Sequence, residues 1–486
     1  MCALVLASAL AGFTLQDIPN LPDGAPMPDQ FEGSWAVADL VLEDGSAGTD
    51  GIPDLVVYGL APAPLDPNDR FLSIVPGPIG TNTVEPQLFA VLSPIGTTAL
   101  VTRGLFVGDV DNDGDADIVH VSPYRVHLWR APFTAGLEQI QVQGSANPYS
   151  LEGAGLVDWN ANGYLDLVLA ENEQLTYVPN DAGDLTADGL LLHQLGAGAS
   201  SDYLALGDPD GDGNPDVLWR TTEGVIALER GGLPVTDISL TSYDNAFRKQ
   251  GVMWCDLGYV DGVLTSLWNG GPVGDGNSYR NFGWSAGSLV PLQGGRGLGG
   301  ACGDFANTGS LQALWGTSSS LVVLTPPDMY DNLFSVTPDD NDRRVFVPAD
   351  FDGDGDLDVV IVGGSATTAV AKLAVNDANT GSLQIQVRRD LGGMTRSDIG
   401  ASVETAGRRQ TLSGGQGHGT TAWEWLHFGV PVTADASRAL LVTFGDGTTE
   451  NVTVPLTGRL EITNLDVDGD GLADLCDPCP HVHVDV

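Results

Sequence analysis

The stretch Leu105-Phe106-Val107-Gly108-Asp109-Val110-Asp111-Asn112-Asp113-Gly114-Asp115-Ala116-Asp117-Ile118-Val119-His120-Val121 decides the fold. An apolar run ends on an acid, a short loop carries an acid at every second position and a glycine at its sixth, and a second apolar run leaves the loop. Both runs have strand length and strand composition, with none of the i, i+3, i+4 spacing of a helix. Val126-His127-Leu128-Trp129 follows after a short turn as a third strand.

The unit recurs along the chain. Its first acids fall at Asp39, Asp109, Asp158, Asp208, Asp256, Asp304 and Asp350, at intervals of 70, 49, 50, 48, 48 and 46 residues. The long first interval holds a Pro-rich insertion around Ala61 to Gly80. Second strands read clearly at Leu165–Leu169, Asp216–Trp219 and Leu357–Val362. A short-stranded module of this length cannot bury both faces alone and must stack on its neighbours, which is what a β-propeller blade does. The expectation is an all-β chain with a seven-bladed β-propeller over residues 21–377.

Four loops carry oxygen side chains at positions 1, 3, 5 and 9. They are Asp109, Asp111, Asp113, Asp117; Asp158, Asn160, Asn162, Asp166; Asp208, Asp210, Asp212, Asp216; and Asp350, Asp352, Asp354, Asp358. Calcium takes six to eight oxygens, and alternate side chains of a tight loop can converge on one ion. Gly114, Gly163, Gly213 and Gly355 hold position 6, where such a loop turns sharply. Position 12 is His120, Leu169, Trp219 or Ile361 inside a strand, so the loops are not EF-hands, which need a bidentate Glu there. Turns alone do not require acid at every second position. The remaining units act as internal controls: after Asp304 come Ala306, Thr308 and Gln312, after Asp256 come Gly258, Val260 and Leu264, and Asp39 leads into a stretched Glu43–Asp54 loop. The strand pattern persists there without the ligands, so the blade is the primary unit and calcium an addition to it.

These loops resemble the FG-GAP or VCBS repeats of integrin-type propellers, which share Asp-x-Asp-x-Asp-Gly-x-x-Asp; the resemblance implies calcium on one face and an opposite face left for partners. Beyond Asn379 the period stops. Arg396–Val403, Gly407-Arg408-Arg409-Gln410, Gly415-Gln416-Gly417-His418, Leu426-His427-Phe428-Gly429-Val430 and Val442–Gly447 resemble the ASPIC/UnbV domain, which follows FG-GAP repeats in the cartilage acidic protein 1-like family. His418 departs from that pattern, which usually has an aromatic residue there. A small all-β module over 378–463 is expected. The segment 464–486 holds a fifth loop, Asp466, Asp468, Asp470 and Asp474, followed by Cys476 and Cys479, and resembles one thrombospondin type 3 repeat. The calcium expectation is thus about four ions in the propeller and one in this calcium-loop tail.

Composition excludes several partners. With 64 Asp+Glu against 20 Lys+Arg the net charge is -44, so nucleic acid and anionic membrane surfaces are disfavoured and divalent cations favoured. Charged residues are only 17% and hydrophobic ones 42%, unlike a disordered acidic tail. No stretch reaches the roughly 18 apolar residues of a membrane span. Residues 1–20, with the apolar run Cys2 to Phe13 and Ala9-Leu10-Ala11 as a small-x-small site, resemble a secretory signal that lacks the usual basic start. The chain is therefore expected to be secreted or at the cell surface.

Cys255 and Cys302 lie one period apart but one residue out of register, which favours buried free thiols over a bridge. Cys476 and Cys479 can pair with each other or stay unpaired. His427, between Leu426 and Phe428, reads as a packed structural histidine. The functional expectation is a non-catalytic calcium-binding adhesion or scaffold protein with an extracellular protein or glycan partner. A lectin or polysaccharide lyase is the alternative, since Trp129, Trp159, Trp219 and others recur across the units, where core packing also accounts for them.

Overall fold

The computed structural model describes residues 13–18, 35–40, 51–60, 70–79, 87–92, 102–123, 125–131, 133, 138–140, 151–160, 162–171, 174–185, 189–194, 201–207, 216–221, 224–228, 252–253, 255, 267–272, 279–285, 288–292, 300–316, 320–325, 329–335, 344–365, 368–377, 381–390, 395–414, 423–430, 437–445 and 447–464. Every structural statement below concerns these residues. They form 35 strands in nine sheets and include no helix, so none is long and apolar enough to cross a membrane.

Seven sheets follow one another along the chain as antiparallel blades. Blade 1 is Trp35–Ala38, Asp54–Leu60, Arg70–Val75 and Gln87–Leu92; blade 2 is Gly104–Gly108, Asp117–Ser122, Arg125–Trp129 and Glu138–Ile140. Blade 3 is Leu151–Val157, Asp166–Glu171, Gln174–Val178 and Leu190–Gln194; blade 4 is Ser201–Gly207, Asp216–Thr221 and Gly224–Leu228. Blade 5 runs from Val252–Met253 through Leu267–Pro272 and Tyr279–Ser285 to Ser288–Leu292, and blade 6 from Gly300–Gly303 through Gln312–Gly316 and Ser320–Thr325 to Met329–Ser335. Blade 7 takes Arg344–Ala349, Asp358–Ser365 and Thr368–Asn376 from its own repeat and Phe13–Asp17 from the N-terminal region, with Phe13 opposite Asn376 and Asp17 opposite Lys372. The strand Phe13–Asp17 lies inside the 1–20 segment singled out as a signal, so these five residues of that segment are part of blade 7. Residues 1–12 lie outside the described residues.

First strands of successive blades touch from blade 1 through blade 5 and from blade 6 to blade 7, blade 7 returns to blade 1, and the Cys255–Cys302 disulfide joins blades 5 and 6. The ring follows from burial on both faces: Gly104–Gly108 and Asp117–Ser122 are buried at every position, as strands sandwiched between neighbouring sheets must be. Ala36, Val56 and Leu72 pack on Leu105 and Ile118 across blades 1 and 2, and Phe106 and Val119 pack on Leu156 and Leu167 across blades 2 and 3. Trp35 and Leu55 meet Val347 and Val360 to close blade 1 on blade 7. Each of the Val, Leu, Ile and Phe side chains among them contributes about 1.5–3 kcal/mol on burial.

Cys255 and Cys302 form a disulfide with Cα atoms 5.5 Å apart, which corrects the expectation of free thiols. The register argument assumed two strand positions of opposite parity. Cys255 instead lies beyond the end of Val252–Met253, where strand alternation no longer sets its direction.

The last two sheets form a C-terminal module. Ser382–Asp390 pairs antiparallel with Thr395–Ser397 and Leu426–Gly429 along one edge and parallel with Gly458–Asn464 along the other. Arg408–Thr411, Ser402–Thr405, Ser437–Thr443 and Thr449–Pro455 make the second sheet. Ile385, Val403, Phe428 and Val442 fill the space between them, joined by Leu165 of blade 3. The module rests on the acid-loop face of the propeller. Leu156 donates to the Gly414 carbonyl at 3.2 Å, Ser413 Oγ donates to the Leu206 carbonyl at 3.1 Å, and Trp423 and Trp425 join the core shared by blades 1 and 7.

Candidate metal centre

Each described loop is folded by its own first acid. Asp109 Oδ1 and Oδ2 accept from Asp113 N at 3.1 Å and Gly114 N at 2.9 Å, and Asp158 accepts from Asn162 N and Gly163 N, both at 3.0 Å. Asp350 accepts from Gly353 N at 2.9 Å and Gly355 N at 3.1 Å. The sixth position needs glycine because φ is positive there, 99° at Gly114 and 97° at Gly355. Acids and amides further along cap the same turn: Asp113 Oδ1 accepts from Asp115 N at 3.0 Å, Asn160 Oδ1 from Asn162 N at 3.0 Å, and Asp354 Oδ1 from Asp356 N at 2.9 Å.

The ninth position ties the loop to its blade. Asp117, buried at the start of a second strand, accepts from Val110 N through Oδ2 and from Ala131 N through Oδ1, both at 2.9 Å. Asp166 takes Trp159 N at 2.9 Å and Asn180 N at 2.6 Å, Asp358 takes Phe351 N at 3.0 Å and Asn376 N at 2.8 Å, and Asp54 takes Leu40 N and Gly77 N, both at 2.9 Å. One oxygen therefore holds the main chain just after the first acid, and the other holds the end of the third strand. The loop after Asp304 builds part of this without a full ligand set: Thr308 N donates to Asp304 Oδ1 at 2.8 Å and Ala306 N to Gln312 Oε1 at 2.9 Å.

Carboxylate oxygens converge at two loops. Asp109, Asp111 and Asp113 bring ligand atoms within 4.8 Å of one another, as do Asp350, Asp352 and Asp358. Oxygens on opposite sides of a calcium ion stand about 5 Å apart, so both spacings suit one hard cation. Asp111 Oδ1 is buried with no hydrogen-bond partner in the protein. Most of the other oxygens keep a second lone pair for a metal after their loop hydrogen bond. Asp158, Asn160, Asn162 and Asp166 share one loop with two carboxylates only. Asp216 is buried at the start of its strand, whereas Asp208, Asp210 and Asp212 lie outside the described residues, as do Asp466, Asp468, Asp470, Asp474, Cys476, Cys479 and His418.

The electrostatics favour a cation. Burial pushes Asp117 up to about 8, with Asp111 and Asp109 adding to the rise against the two backbone donors. Asp358 rises to about 9, again from burial first, with Asp352, Asp350 and Asp354 adding to it. Asp354 rises to about 7, Asp166 to about 6, and Asp113 and Asp352 also rise, each chiefly from burial. A bound ion would reverse these shifts by stabilising the charged forms.

Two arginines enter the loops from elsewhere. Arg130 Nη1 donates to Asp111 Oδ2 at 2.6 Å while Nη2 donates to the Gly183 carbonyl at 2.6 Å, tying blade 2 to blade 3. Arg459, on the module, donates to Asp350 Oδ2 at 2.9 Å, to Gln384 Oε1 at 2.8 Å and to the Gly51 carbonyl, and lies over the Trp425 ring at 5.6 Å. With Gln384 Nε2 at 2.7 Å and Gly355 N, Asp350 Oδ2 has three donors, so the blade 7 loop is held partly by the module. His427 is buried, its Nε2 2.9 Å from the Gly355 carbonyl, and Gly429 N donates to Asp304 Oδ2 at 2.8 Å.

Reading the loops for ligands overlooks these arginines and a set of asparagines. Asn180 Nδ2 bridges the Val110 and Leu165 carbonyls at 2.7 and 2.9 Å, and Asn376 Nδ2 bridges Phe305 and Leu357 at 2.8 and 3.2 Å. Both close a third strand and link neighbouring blades, and their recurrence in the same slot is a signal the sequence carries. Asn112 and Asn307, at position 4 with φ of 59° and 50°, reach Gly163 and Asp356 of the next blades.

No protein-family model and no curated protein matches the chain. Among solved structures it is similar to BBS1N in complex with ARL6DN, at 12% identity and a TM-score of 0.47 over 76% of this chain and 99% of that one. It is also similar to streptogramin B lyase, at 13% identity and 0.45 over 76% and 100%. A lectin from Agrocybe aegerita that recognises non-reducing terminal N-acetylglucosamine aligns at 15% identity and 0.40 over 71% and 95%. Likenesses of this degree say nothing about activity, and the propeller architecture rests on the strand pairing itself.

Proposed function

We propose that the chain is a secreted, calcium-binding propeller of the FG-GAP/VCBS type that carries an ASPIC/UnbV-like module and a thrombospondin type 3-like tail, and that it acts as a non-catalytic interaction scaffold. The observation that carries this reading is the pair of loops at Asp109–Asp113 and Asp350–Asp358, each gathering three carboxylates within reach of one ion. Asp109, Asp111 and Asp113 would hold the blade 2 ion; Asp350 and Asp352, with Asp358, would hold the blade 7 ion. Calcium supplies charge neutralisation and cross-linking of the loop and no chemistry of its own here. Millimolar extracellular calcium suits loops of modest affinity. With the module seated on the loop face, the opposite face is left for an extracellular protein or glycan.

Calorimetric titration of metal-free protein tests the reading. Calcium is expected to bind at millimolar concentration or below, with the Asp158 loop the weakest of the propeller sites because it offers two carboxylates. Each site should stabilise by roughly 2.7 kcal/mol at a hundredfold excess over its dissociation constant. If calcium fails to bind, or Asp352→Ala with Asp354→Ala leaves stoichiometry and melting unchanged, the loops are turns and the reading falls.

A further inference from the structure

The second sheet of the C-terminal module ends on an open edge. Thr449–Pro455 pairs with Ser437–Thr443 over seven residues without a register shift, and among the described residues no strand lies on its other side. Ala439 turns its carbonyl toward the opposite neighbour, where Thr405 Oγ1 donates to it at 3.0 Å. Opposed residues of an antiparallel pair face each other or face away together, so Thr453, opposite Ala439, presents its main chain to the outside, and Thr449, Asn451 and Pro455 do the same. Three N–H groups and four carbonyls are left without a strand partner, all at exposed positions.

Outer strands elsewhere carry devices that prevent pairing with another chain. Those of blades 1, 3 and 6 are interrupted by a register shift, that of blade 2 is three residues long, and that of blade 5 contains Pro291. The opposite edge of the module sheet is the four-residue Arg408–Thr411, which bears two arginines. Thr449–Pro455 has one charge, Glu450, and a proline only at its last position. Val452 on its inner side is only partly buried against the module core, as is Leu460 on the strand that follows, so the core reaches solvent at this edge.

Charge and symmetry select the occupant. Residues 378–464 hold seven Arg against eight Asp and Glu, a net charge of -1 in a chain of -44, so another copy meets far less repulsion here than at the propeller. The strand also matches itself. Antiparallel pairing about a two-fold at Val452 sets Asn451 opposite Thr453 of the second copy and Thr449 opposite Pro455, which satisfies six main-chain hydrogen bonds. The two Val452 side chains then lie side by side, and each Glu450 faces a Val454. Four residues of strand rise keep the two acids about 14 Å apart, beyond the Debye length of about 8 Å at physiological salt.

We propose that the chain forms a two-fold dimer through Thr449–Pro455, joining two module sheets into one continuous sheet. This assignment is independent of the calcium loops. A contact of one strand pair and its flanking side chains falls below about 1,200 Å², so a reversible dimer with a dissociation constant on the order of 10–100 µM is expected.

Sedimentation velocity of the full chain across that concentration range, in chelator, tests it. Association should strengthen as salt is raised, because screening relieves the repulsion between two acidic chains. Thr453→Pro deletes an outward N–H while sparing the ladder to Ser437–Thr443, and should weaken association by about tenfold or more. Under air oxidation Val452→Cys should yield a dimer linked through the two introduced thiols, since opposed residues about 4.5–5.5 Å apart suit a disulfide, whereas Val454→Cys, opposite Glu450, should not. A monomer at every concentration, association that weakens with salt, an unchanged affinity in Thr453→Pro, or linkage through Val454→Cys instead overturns the dimer. Hydrogen-exchange protection of the Asn451 and Thr453 amides in dilute monomer would place a different strand on the edge and overturns it too. The concentration and salt series on the unaltered chain decide the matter even where a variant fails to fold.

Discussion

Replacing Arg459 by Met removes the side chain that locks the module onto the blade 7 loop. The substitution keeps an unbranched apolar stem but deletes the bonds to Asp350, Gln384 and Gly51 and the contact with the Trp425 ring. Asp350 is fully buried, and breaking a buried ion pair from one side costs about 3–5 kcal/mol because the remaining charge stays desolvated. The Arg459 side chain is 28% exposed, and Asp350 keeps its donors from Gln384, Gly353 and Gly355, so a loss of about 2–3 kcal/mol is expected. Urea unfolding in chelator, followed by tryptophan fluorescence, reads it, because Trp423 and Trp425 share a core with Trp35 and Phe351. Limited proteolysis between Asn376 and Ser382 should accelerate in parallel as the module lifts. A double-mutant cycle with Asp350→Asn should return a coupling of about 1 kcal/mol or more. Calcium affinity at the blade 7 loop should rise at the same time, since the guanidinium no longer occupies Asp350 Oδ2. A loss below about 0.5 kcal/mol, the level of an ordinary surface substitution, would refute the assignment of Arg459 as the lock.

Three further outcomes are expected. His120 and His127 are buried with Nδ1 atoms 3.4 Å apart, and burial, with Arg125 adding to it, lowers His127 to about 4. The unfolded chain titrates near 6.5 and so takes up protons first: the contribution of His127 is complete above that pH and is lost as pH falls toward 4, about 3 kcal/mol in all, so His127→Gln should flatten urea midpoints compared between pH 7 and pH 4. Reducing the Cys255–Cys302 bridge, which spans 47 residues, should lower stability by about 4 kcal/mol if loop entropy governs, and peptide mapping without reductant should recover the two cysteines as one linked pair. Gly429→Ala should unseat the module, because a Cβ there would lie 2.0 Å from the Asn307 carbonyl carbon; a cost of about 1–3 kcal/mol or more in urea is expected, and wild-type stability would contradict the docking.

The repeat was legible in the sequence because strand period and loop chemistry are local. Apolar runs at Leu105–Val107 and Ile118–Val121 announce strands buried on both faces, and the first acids at Asp109, Asp158 and Asp350 recur at blade spacing. The loop glycines were legible for the same reason, since only the loop's own backbone demands a positive φ at Gly114 and Gly355. Tertiary structure alone decided the division of labour among the acids. Asp117 and Asp358 read in sequence simply as ninth-position ligands, but both oxygens of each also accept main-chain N–H groups from the loop and from the third strand, partners brought together only by the folded blade, while Asp358 still lies within 4.8 Å of Asp350 and Asp352. It also decided the Cys255–Cys302 bridge, because one cysteine leaves strand geometry before its side chain is placed. The seating of Arg459 on Asp350, 109 residues apart, was likewise invisible. Local pattern fixes which backbone conformations a segment can adopt, whereas the partner of a buried charge is set by whichever distant group packing delivers to it.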